Sequence, residues 1–80
     1  MSNSKLRWQC RRGMRELDEL MVSYLNDHYD VSSEKEKNAF EELLELSDPE
    51  LIKLLLTAYK SEVKSINLIV QKILITRSIN

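Results

Sequence analysis

A small all-α bundle of about five short helices is the fold that the sequence predicts, on three observations. Apolar residues recur at three- and four-residue steps along most of the chain, the spacing that lines one face of a helix. Only one glycine and one proline occur in 80 residues, too few to punctuate a succession of strands. No segment alternates apolar and polar residues between turn-forming clusters. A chain of this length has material for one modest core, so residues 1–80 are expected to form a single domain, with 1–3 and 78–80 frayed.

The first helix is expected from Ser4 to about Arg12, with Leu6 and Cys10 four apart on one face, and Gly13 permits the bend that follows. From Met14, the series Leu17, Leu20, Met21, Tyr24 and Leu25 makes the buried stripe of a second helix ending near His28 to Asp30. Ser33 with Glu36 three residues on reads as a capping box opening a third helix, whose core face is Phe40, Leu43, Leu44 and Leu46. A fourth begins at Ser47-Asp48-Pro49-Glu50, with Asp48 capping the free amides and Pro49 at the first helical position; Leu51, Ile52, Leu54, Leu55 and Leu56 are its core. Val63, Ile66, Ile69, Val70, Ile73 and Leu74 give a fifth helix its period. Thr57 to Ser61 contains no clear breaker, which leaves a partial merger of the last two helices open.

Composition narrows the function. Hydrophobic residues at 42% and charged residues at 31% suit a soluble globular protein. No apolar run approaches the roughly 20 residues of a membrane helix, and the start lacks the apolar stretch of a signal peptide, so no membrane insertion is expected and the expected location is the cytoplasm. One cysteine, Cys10, and one histidine, His28, cannot make a disulfide, a zinc site or a redox pair, and no metal is expected. With no nucleophile–base set or phosphate loop either, the chain is expected not to be an enzyme. The net charge of -1 conceals a segregation: Lys5, Arg7, Arg11, Arg12 and Arg15 precede the first acid, whereas Glu16 to Glu50 is strongly acidic. A basic end suits phosphates or an acidic protein surface, but the balanced total argues against a dedicated nucleic-acid binder.

The segment from Trp8 to Asp18 stands apart, because cations surround the sole glycine and an acid opens the next turn, which ordinary helix design does not require. Arg12 can present a planar pair of donors to a carboxylate or phosphate, and Glu16 can accept from a partner's arginine or amides. Bridging each other along one helix is their alternative, worth only about 0.2 to 0.5 kcal/mol. Gly13 either breaks the helix or lets a partner's backbone approach, and both can hold. Trp8, beside Arg7 and Arg11, reads as an interface anchor or as core. Arg15 and Asp18 extend the same charged surface. Cys10 reads as a small buried hydrophobe rather than a nucleophile, and His28 as a companion of a helix C-terminus.

Arg12, Gly13 and Glu16 spell an Arg-Gly-x-x-Glu signature, with Trp8, Cys10, Met14, Leu17 and Asp18 in its wider pattern. The pattern continues through Tyr29, Phe40, Leu43-Leu44 and Asp48-Pro49-Glu50-Leu51, so that the stretch from Trp8 to Leu56 resembles the succinate dehydrogenase flavinylation, or FAD assembly, factor family. The chain departs from that family at Leu54, where tryptophan is usual, and in the turn after the fourth helix, which lacks the glycine or proline often found there. The resemblance implies a chaperone that binds the flavoprotein subunit of succinate dehydrogenase, sometimes of fumarate reductase, and promotes covalent attachment of FAD to a histidine of that partner. It implies a factor that supplies no catalytic group and binds no cofactor stably, and a monomer is the expected state. It assigns partner contact to Arg12, Gly13 and Glu16, with Trp8, Arg11, Arg15 and Asp18 around them. Members of the family have also been labelled antitoxins, and an antitoxin-like regulatory module is the alternative.

Overall fold

Apolar stripes decide how the helices stack, and the computed structural model describes that stacking for residues 4–57 and 59–79, without the side chains of 77–79. The elements are α1 (Ser4–Cys10), α2 (Arg15–Asp27), a 3-10 turn (Tyr29–Val31), α3 (Glu34–Leu44), α4 (Asp48–Leu56) and α5 (Lys64–Ile79). The fraying expected of 1–3 and 78–80 lies outside the described residues, except that the backbone of 78 and 79 completes α5. Among the described residues there is no strand, and no helix is long and apolar enough to cross a membrane.

One cluster joins Cys10 with the predicted stripe of α2, with Ala39, Phe40, Leu43 and Leu44 of α3, with Leu51, Leu54 and Leu55 of α4, and with Ile66, Ile69, Val70 and Ile73 of α5. Both α2 and α3 pack on α5. Phe40, fully buried, holds its ring 5.0 Å from that of Tyr24 and 5.7 Å from that of Tyr29, tilted against each. Polar bonds at the rim fasten α5 to α3: Lys72 Nζ donates to Glu36 Oε2 at 2.8 Å, and Ser65 Oγ to Glu42 Oε1 at 2.9 Å. The lysine holds the Glu36 carboxyl below its ordinary range. Leu56 and Val63, expected in the core, are instead exposed, because they flank the connection between α4 and α5.

The capping box at α3 forms as the spacing predicts: the Glu36 amide donates to Ser33 Oγ at 3.2 Å, and the Ser33 amide to Glu36 Oε1 at 3.1 Å. Replacing Ser33 by alanine is expected to lower the unfolding free energy by about 1 kcal/mol, measurable by urea titration.

Two boundaries differ from expectation, and one that the sequence leaves open is decided. α1 stops at Cys10 rather than near Arg12, since the Arg11 amide closes the turn on the Trp8 carbonyl and the Arg12 amide leaves the helix for the Asp18 carboxylate, 2.7 Å away. Ser47, not Asp48, caps α4: Ser47 has extended backbone, and the Glu50 carboxylate accepts from both its amide and its hydroxyl, leaving Asp48 and Pro49 as the first two helical residues. The last two helices do not merge. Thr57 turns extended after Leu56, and Asn67 reaches back from α5 to bond both backbone groups of Ser61, at 2.7 and 2.6 Å. Side-chain amide and hydroxyl groups thus replace glycine or proline in ending a helix.

Candidate partner-binding surface

Gly13 reverses the chain between α1 and α2 with φ +78, in the left-handed region where other residues are strained. A Cβ built there meets nothing within 4 Å, so the backbone demands the glycine and its outer side is open space.

Beneath the turn lies a polar network. The Arg12 guanidinium, its side chain 17% exposed, donates from Nε to the Gln9 carbonyl at 2.9 Å, from one terminal nitrogen to the Leu46 carbonyl and to Asp48 Oδ1, both at 3.1 Å, and from the other to the Leu44 carbonyl. Leu44 ends α3, where unpaired carbonyls and the helix dipole favour a cation. The Asp18 carboxylate, in the first turn of α2, accepts the Arg12 amide. The alternative Arg12–Glu16 bridge is not formed; the ion pair of Arg12 is with Asp48.

Around this network the remaining candidates point outward. Trp8 is 77% exposed, which settles its two readings against core packing. Arg11, Arg15 and Glu16 are exposed; Arg15 makes a loose ion pair with Glu19 at 3.7 Å, and Glu16 has no ion pair among the described residues. Arg11 and Asp18 share a shallow hollow of about 320 Å³ with Glu19, Val22 and Ser23. The structure therefore separates the predicted residues into an exposed set, Trp8, Arg11, Gly13, Arg15 and Glu16, and an inward pair, Arg12 and Asp18. Asp48, its side chain 45% exposed, joins them as the ion-pair partner of Arg12, where the sequence reads it as a helix cap. An acid directly before the sole proline was the available signal, but it fits a cap equally well.

Cys10 and His28 take the places expected of them. Cys10 is fully buried, and burial pushes its thiol from 9.0 up to about 11 against the opposing pull of Arg12 and Arg7. His28 caps the C-terminus of α2. Burial, then the hydrogen bond to Glu41, likewise raises the Tyr29 hydroxyl from 10.0 to about 12. Both shifts favour the neutral form in the folded state, so their stabilisation is complete below about pH 9 and is lost as pH rises through about 11 and then 12. Chemical denaturation across this range is expected to show falling stability, with Cys10→Ala removing the earlier part of the fall and Tyr29→Phe the later. Among the described residues no group of three His, Cys, Asp or Glu side chains could hold a metal ion.

Residues 4–76, from the start of α1 into α5, match the family model described as flavinator of succinate dehydrogenase. The FAD assembly factor SdhE of Haemophilus ducreyi is 32% identical, over 91% of this chain and 89% of its own. That of Colwellia psychrerythraea is 39% identical over 92% and 81%, and that of Yersinia pseudotuberculosis 46% identical over 62% and 57%.

Proposed function

The chain belongs to the succinate dehydrogenase flavinator family, and from that membership we propose that it is an FAD assembly factor, which binds the flavoprotein subunit of succinate dehydrogenase and promotes covalent attachment of FAD to it. The observation that carries the docking reading is the exposed set around Gly13. A large aromatic ring and two arginines stand in solvent beside an open backbone turn and an acid with no ion pair among the described residues. Tryptophan and arginine are the residue types that dominate binding energy once desolvated by a partner. The excess of positive charge on α1 and just beyond it, carried by Lys5, Arg7 and Arg11, favours an acidic recess on the flavoprotein and speeds encounter with it.

In this role the factor supplies binding energy and the flavoprotein supplies the chemistry. The histidine, the FAD and the ordered dicarboxylate site are the partner's, and the factor stabilises the conformation in which they react. No catalytic group and no stably held cofactor are required of this chain. It acts as a monomer in the cytoplasm, and a fumarate reductase flavoprotein, with the same flavin chemistry, is its second client.

Co-expression of the succinate dehydrogenase flavoprotein subunit with and without this chain, in a host lacking its own factor, tests the proposal. The intact mass of the subunit is expected to include covalent FAD only when the chain is present. Equal flavin content in both cultures overturns the role.

A further inference from the structure

Arg12 lies between the two exposed elements of the docking face, yet its side chain is turned into the molecule. A guanidinium carries five N–H donors in a fixed plane. Four hydrogen bonds within the protein draw on them, to Gln9, Leu44, Leu46 and Asp48. Gln9 is on α1, Leu44 closes α3, and Asp48 opens α4; the amide of the same residue is held by Asp18 on α2. One residue therefore ties together four helices, and its acceptors at the α3–α4 corner lie 32 to 36 positions away in sequence. Little donor capacity is left for a partner.

We propose that Arg12 is a positioning residue for flavoprotein docking, anchored by Asp48, which fixes the angle between α1, bearing Trp8, and the first turn of α2, bearing Glu16. The inference rests on the docking reading above. Leu6, Cys10 and Met14 seat the flanks of the turn on the core, while nothing packs against the outer side of Gly13 itself. Polar bonds complete the setting of the angle, and those from the turn to the α3–α4 corner run through Arg12. Each helix keeps its own apolar face when the guanidinium is lost, so the bundle survives while the relative setting of Trp8 and Glu16 loosens. Lysine keeps the charge but offers a single ammonium that cannot span the carbonyls and the carboxylate together.

The test measures affinity for the purified, FAD-loaded flavoprotein subunit by titration calorimetry, at a temperature where circular dichroism shows every variant folded. Wild type, Arg12→Lys, Asp48→Asn, Arg12→Ala and the Arg12→Ala/Asp48→Asn pair are compared; the asparagine is isosteric and the lysine conservative, so the comparison survives if alanine unfolds the chain. Asp48→Asn and Arg12→Lys are each expected to weaken binding about tenfold. The double variant is expected to be no weaker than Arg12→Ala, and the salt dependence of binding to stay unchanged. Wild-type affinity in Asp48→Asn or in Arg12→Lys overturns the positioning role. Additive losses, or a reduced salt dependence, overturn it in favour of direct contact with the partner. If wild type itself does not bind, the docking reading falls and the positioning role with it.

Discussion

Gly13→Arg and Glu16→Ala are expected to abolish flavin attachment to the partner while leaving the helical fold in place. At Gly13 the strain of a left-handed arginine is about 1 to 2 kcal/mol, and no clash adds to it because the space outside the turn is empty. On the proposed docking, that same empty space is where the flavoprotein backbone approaches, and the new side chain fills it. Glu16 is exposed and makes no ion pair among the described residues, so its truncation removes at most a favourable charge from the first turn of α2, about 0.3 to 1 kcal/mol. Each variant is expected to lose about 2 kcal/mol or more of binding, roughly thirtyfold in affinity, as residues at the centre of an interface do. Covalent flavin on the co-expressed subunit and the circular dichroism of the purified factor measure the two halves of this expectation. Full flavin content with folded Glu16→Ala shows that this face is not the docking surface.

The largest effect on the fold is expected at Phe40. Its ring is fully buried and lies against Tyr24 and Tyr29, so that alanine leaves a cavity where α2, the 3-10 turn and α3 meet. Such truncations cost about 3 to 5 kcal/mol. A chain of this size has a total stability not far above that figure, and Phe40→Ala is expected to be largely unfolded at 37 °C. Thermal denaturation followed by circular dichroism checks this. Phe40→Leu, which refills most of the space, is expected to recover more than half of the loss.

The helices were legible because their signals are local. Apolar steps along α2 and α5 and the Ser33–Glu36 box each lie within a few residues of the feature they produce. Helix ends were harder to read where the deciding bond is longer. The break before α5 depends on Asn67 bonding Ser61 across six positions, with no glycine or proline to announce it. The divided character of the candidate site was not legible at all. Arg12 and Glu16 look alike as exposed charges in an Arg-Gly-x-x-Glu segment, and only the fold brings Leu44, Leu46 and Asp48 up to one of them. Trp8 was ambiguous for a related reason: whether a ring on α1 meets the core or solvent depends on how that helix is set against the bundle.

The exposure of Trp8 decides what light reports about this molecule. It is the only tryptophan in the chain, and its indole stands in water in the folded protein as it does in the unfolded one. Intrinsic emission is therefore nearly silent on whether the bundle is intact. An emission shift toward the blue reports the desolvation of the indole, and in a mixture with a partner that contains no tryptophan near its docking site, the same lone ring becomes a direct optical record of the encounter.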